Sequence, residues 1–252
     1  MKFKNYLFDL YPKYQIGFNL DTRKDPDKCS KQLYDDMKKI FFSKERLDSL
    51  KLNSIENKCQ NFGRGNFYTL FIDDGKYRLS SDFIGASIYW AKQKGLAGED
   101  IVEYLRISRT IGGHMVFPRG QGTTVNQARG GENSYYDRFD LTLLAIKKWY
   151  SNECNSTINY AIDNYKEWFE LFIKDRDLKD GFRNFINFFY LEDFVSENLE
   201  IIDLVNSDLK NNKKLFLNKE DISIPSTRES YLQYVINNNI IIWKRTKKLL
   251  EK

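Results

Sequence analysis

The chain has no run of about eighteen apolar residues, so a membrane-spanning helix is not expected. Its opening stretch, MKFKNYLFDLYPKYQIGF, is interrupted by Lys4, Asn5, Asp9 and Lys13. It therefore lacks the continuous apolar segment of a secretory signal. Cysteine is scarce. Cys29, Cys59 and Cys154 form an odd, widely spaced set with no CxxC pair, which excludes a disulfide framework and a thiolate zinc site. Such cysteines read as reduced thiols, and a cytoplasmic protein is expected. With only four prolines and 15% aromatics, the composition disfavours disorder. A single histidine, His114, excludes a histidine-rich metal site. GxGxxG and GxxxxGKS/T are both missing, so neither a Rossmann nor a P-loop domain is expected and no cofactor is indicated. GxSxG is also missing, and nothing supports nucleophilic catalysis.

What remains is a globular composition, with 41% hydrophobic and 30% charged residues over 252 positions. We expect one domain over residues 1–252 and an α+β fold: a small, mostly antiparallel sheet packed by many helices, with a mainly helical C-terminal half. Asp27 or Ser30 caps a helix that carries Leu33, Met37, Ile40 and Phe41 on one face. NFYTLFIDDGKYRLSS reads as a hairpin turning at Asp74-Gly75. SSDFIGASIYWAKQKG reads as a helix capped by Ser80 or Ser81 and ended by Gly95, and its N-terminus would offer an anion site through Ser80, Ser81 and Asp82. HMVFP reads as a strand, and RGQGTTVNQARGGENS as a loop with a short strand at Thr123–Val125. YDRFDLTLLAIKKWY is apolar on most sides and should be a buried central helix. STRESYLQYVINNNIIIWKRTKKLLEK should be a long closing helix.

One segment concentrates the chemistry. Thr110–Asp140 holds six of the fourteen glycines and the sole histidine, and together with Arg109 it supplies four arginines. Turn chemistry alone explains part of the glycine content, since glycine supplies φ > 0 without steric cost. Close backbone approach to an anionic ligand explains the same pattern. The candidate ligand-binding residues are Arg109, Arg119, Asn126, Arg129 and Arg138, with Ser81. The candidate catalytic residues are Asp140, Asp137 and His114. Asp137 suits an N-cap. Asp140 lies one turn into an apolar helix, where a buried carboxylate must be paired, and Arg129 or Arg138 is the expected partner. A second arginine would then face a cavity and bind phosphate or carboxylate through its planar fork. Tyr135 and Tyr136 would stack a planar ring or fill core. Glu132, Asp137 and Asp140 match no metal motif, so no metal is expected.

The blocks RLSSD, TIGGHMVFPRG, TVNQARGG and YDRFDLTLLAIKKWY resemble the motif blocks of a family of uncharacterised bacterial proteins, a domain of unknown function. DPDKCSKQLYDDMKKIFFSK and FINFFYLEDFV extend the resemblance over most of the chain. It implies one domain and carries over no activity, cofactor or catalytic residue.

Two functional readings follow. In the first, residues 109–140 build a pocket for an anion or nucleotide, in an enzyme acting on a nucleotide or another phosphorylated small molecule. In the second, the protein binds nucleic acid or a protein partner without chemistry, for instance in phage–host conflict, through the basic stretch KRTKKLLEK.

Overall fold

A computed structural model describes residues 4–10, 26–61, 66–96, 98–120, 122–132, 138–153, 156–174, 178–217 and 225–251. The elements run α1 (Tyr6–Leu10), α2 (Pro26–Cys29), α3 (Lys31–Phe41), α4 (Lys44–Ser49), β1 (Ile55–Asn61), β2 (Asn66–Ile72), β3 (Tyr77–Phe83), α5 (Ile88–Gln93) and α6 (Glu99–Ser108). They continue with β4 (His114–Pro118), α7 (Val125–Glu132), α8 (Phe139–Tyr150), α9 (Thr157–Asp163), α10 (Lys166–Glu170), α11 (Leu178–Phe188) and α12 (Arg228–Leu250). The four strands form an antiparallel meander in the order β1-β2-β3-β4, and the C-terminal region is helical. The α+β expectation holds.

Local chemistry explains most of these elements. Ser30 caps α3 by accepting the Leu33 N–H at 3.1 Å, so of the two candidate caps it is Ser30 that serves. The hairpin turn spans Asp73 to Lys76. Asp73 and Asp74 both adopt left-handed backbone, a conformation that Asp tolerates better than most side chains. Thr227 and Ser230 form a capping box at the start of the 23-residue α12. Helix α8 buries Phe139, Thr142, Leu143, Ala145, Ile146, Trp149 and Tyr150, and none of its residues is exposed. It is the expected central helix. Beside it Phe169, Phe172, Phe185 and Phe189 pack ring against ring, with centroids 5.0 to 5.9 Å apart.

Two local expectations are corrected. Ser80, Ser81 and Asp82 do not open a helix. They belong to β3, because the alternation of buried Tyr77, Leu79, Ser81 and Phe83 continues the strand and β4 pairs with it down to Phe83↔His114. The helix starts only at Ile88, so the anion site at that N-terminus does not form. Residues 125–132, expected to be loop after a strand at 123–125, form α7, which packs on α9 and β4. Its glycines argued for a loop, but tertiary contacts overrode that propensity.

The β3–β4 ladder positions the site. Residues directly opposite each other in an antiparallel pair share a face. Ser81, Phe83, His114 and Val116 therefore look toward α2 and α3, while Asp82 and Met115 look toward α7 and α8.

Candidate functional site

At the Phe83–His114 end of this ladder, polar groups from seven segments converge. On one face Asp27 Oδ1 lies 2.6 Å from His114 Nδ1 and accepts the Ser81 hydroxyl at 2.8 Å. The Asp27 carbonyl accepts the Tyr34 hydroxyl at 2.6 Å, whose oxygen in turn accepts the Ser81 N–H at 2.9 Å. Burial works to raise the Asp27 pKa. His114, Arg109 and the Ser81 hydroxyl outweigh it and hold the carboxyl below its ordinary value. The His114 ring lies edge-on to Tyr6 and tilted against Phe83, at 6.1 and 5.8 Å between centroids. A carboxylate on Nδ1 fixes the orientation of an imidazole and aims Nε2. Here Nε2 is buried and makes no hydrogen bond to any described residue.

On the other face Arg129 donates from Nη1 to Asp82, and from Nε to Thr142 Oγ1 at 2.9 Å. Asn126, one helical turn before Arg129, donates weakly to the Ser81 carbonyl at 3.4 Å. Its own Oδ1 is buried and has no partner among the described residues. Phe83 joins the two faces. The Arg109 guanidinium stacks 3.6 Å from its ring centroid, and its carbonyl sits 3.5 Å from Arg129 Nη1. The ring folds over Gly85, where a Cβ atom would lie 2.1 Å from it.

The backbone carrying His114 is held from behind. Gly112 presses on α12 so closely that a Cβ would lie 2.5 Å from the Ile242 carbonyl. Buried Arg245 donates to the carbonyls of Gly112 at 2.7 Å and His114 at 2.8 Å, and twice to that of Phe189. Burial lowers its pKa to about 9, against the pull of Glu192, so it stays charged at neutral pH.

Arg138 and Asp140 form a separate cluster. Arg138 grips Asp140 with Nε at 2.9 Å and with Nη2, and reaches Asp203 at 3.4 Å. Asp140 also accepts the Leu141 N–H and the Leu204 N–H, both at 3.0 Å. Asp203 closes a turn by accepting the Val205 and Asn206 N–H groups at 2.9 and 3.2 Å. Burial opposes the charge on Arg138, but Asp140, Tyr234 and Asp203 hold its pKa above the ordinary value. Asp140 is fully buried and its four acceptor positions are filled, which leaves no lone pair for a substrate.

The sequence-predicted residues are thus divided. Ser81, Arg109, His114, Asn126 and Arg129 come together. Arg138 and Asp140 pair with each other. Arg119 lies beyond the far end of β4, about 16 Å from His114 at the rise of an extended strand. Asp137, Tyr135 and Tyr136 lie outside the described residues, and the N-cap position of α8 belongs to Arg138. Asp27 and Thr142 were not foreseen in the site, and Asp82 was foreseen only as part of a helix cap. Asp27 lies 87 positions from His114, a separation at which sequence carries no pairing signal. Among the described residues no three His, Cys, Asp or Glu side chains are placed to share a metal ion. Nor is any described helix long and apolar enough to cross a membrane. In the basic C-terminal stretch Arg245 is buried, and Lys248 reaches Asp193 at 2.7 Å and Glu192 at 3.8 Å.

A family model matches residues 12–249, nearly the whole chain, and with it all of this site. The chain belongs to DUF6994, a family of unknown function. No curated protein and no solved structure matches the chain.

Proposed function

We propose that this DUF6994 protein is an enzyme for a small anionic substrate, a nucleotide or another phosphorylated small molecule, bound at the Phe83–His114 end of the β3–β4 ladder. The observation that carries the reading is the buried His114 Nε2. It is aimed by Asp27, yet among the described residues it has no hydrogen-bond partner. In this reading Nε2 exchanges a proton with the substrate, and Asp27 is the positioning residue behind it. Arg109 and Arg129 provide the positive field for the anionic group. Asn126 Oδ1 accepts from a polar edge of the ligand. Arg138, Asp140 and Asp203 form a structural clamp with no part in the chemistry. Burying so many charges is poor economy for stability alone, since buried ion pairs rarely outdo apolar packing. Their gathering around one strand end is the pattern of a functional site.

The test is a thermal-shift panel of nucleotides, cyclic nucleotides and sugar phosphates on the wild type and Asn126→Ala. Asn126 is the site residue with the least structural work, so this variant keeps its fold. A ligand at about 100 times its Kd adds roughly 2.7 kcal/mol of stability. The expected result is a shift with one ligand class that Asn126→Ala abolishes. A wild type that melts cooperatively and responds to none of these ligands contradicts the proposal.

A further inference from the structure

The opposite end of the same ladder holds a second cleft. It has a volume of about 790 Å³ and lies between the β2–β3 turn, the end of β4 and α10. Lys76, Arg78, Arg119, Lys166 and Trp168 line it. We infer that this cleft binds the oxyanion of a small phosphorylated ligand, at a site separate from His114. It shares with the proposal above only the charge of the ligand, so either can fail alone.

Three observations carry the inference. First, Trp168 is 1% exposed, and its indole N–H finds no acceptor among the described residues. An indole N–H can only donate, and Trp168 lines the cleft. Second, the carboxylates of the cleft are already engaged. Asp163 accepts the Trp149 indole at 2.7 Å, Glu167 lies 3.4 Å from Lys76, and Glu170 lies 3.5 Å from Lys166. They are therefore not the missing acceptors. Third, among the described residues the guanidinium of Arg78 forms no ion pair, and it overlies the Phe71 ring at 5.5 Å. The Arg119 N–H bonds the Arg78 carbonyl at 2.8 Å, so two arginines stand side by side where the strands end. An indole N–H and planar guanidinium forks are donors only. The complementary guest is an acceptor-only group of negative charge, and a phosphoryl group fits that description.

Indole N–H signals of the uniformly 15N-labelled full chain test this. The four tryptophans give four such signals. Trp168→Phe identifies one of them, and contacts to the Tyr77 ring, 5.4 Å away between centroids, identify it independently. Inorganic phosphate and glucose 6-phosphate are titrated against sodium chloride of matched ionic strength. The expected result is a saturable shift of the Trp168 signal with at least one phosphate compound, weakened about tenfold or more in Arg78→Ala and unchanged in Asn126→Ala. Arg78 is exposed, so its removal leaves the fold intact. A Trp168 signal that stays still, moves equally with chloride or responds equally in Arg78→Ala overturns the inference.

Discussion

The polar cluster around Arg138 and the one around Phe83 both lie in the interior, and they differ in completeness. Around Arg138 every acceptor of Asp140 is filled, by two guanidinium bonds and two backbone N–H groups, and Asp203 is closed in the same way. Around Phe83 the geometry is just as ordered, yet His114 Nε2 and Asn126 Oδ1 have no partner among the described residues. A saturated network can rigidify a fold but cannot recognise anything further. An incomplete network is costly unless something completes it. The comparison teaches that a high density of buried charge does not by itself mark a site. Completeness separates a clamp from a receptor.

The contrast breaks most readily at the clamp. Asp140→Ala strands Arg138 in the interior and is expected to cost about 3–5 kcal/mol in chemical denaturation, with no ligand able to restore the loss. A loss below about 1 kcal/mol would mean that water replaces the carboxylate and that the cluster is not a clamp. Arg129→Ala should cost less, about 2–3 kcal/mol, because Asp82 keeps some contact with water after losing its partner. It should also abolish ligand binding, which separates it in kind from Asp140→Ala.

Asp27→Asn tests the site through pH. The folded carboxyl titrates below its unfolded value of ~3.9, so its contribution is fully present above that value. The contribution is lost as pH falls through the lower folded value. Melting profiles between about pH 6 and pH 2 should therefore show a steeper acid loss in the wild type than in Asp27→Asn. Parallel profiles would mean that the folded Asp27 carboxyl is not held below its unfolded value. The smallest stability effect belongs to Asn126→Ala, within about 0.5 kcal/mol. Its effect on binding should be the largest relative to that change.

Legibility in the sequence followed the range of the interactions. The DDGK turn, the Ser30 cap and the apolar α8 are set by neighbours within a few positions, and all were readable. The Arg138–Asp140 pair, two positions apart, was one of two pairings that the sequence allowed. The strand identity of Ser80–Asp82 was masked because serine and aspartate also favour helix caps, while the decisive alternation with Tyr77 and Leu79 lay upstream. Helix α7 was masked by Gly130 and Gly131, which its contacts with α9 override. Asp27 and Asp203 were invisible as site and clamp residues, since their partners lie 87 and 65 positions away. Tertiary folding alone brings those pairs together.

The central claim, that His114 Nε2 is an open position awaiting a ligand, has a direct spectroscopic measure. His114 is the only histidine, so its imidazole nitrogen signals need no assignment. In long-range 1H–15N spectra taken with and without the nucleotide or sugar phosphate that shifts the melting temperature, the account predicts that the Nε2 signal moves on binding while Nδ1, held by Asp27, stays nearly fixed. An Nε2 signal indifferent to a ligand that demonstrably binds would contradict it.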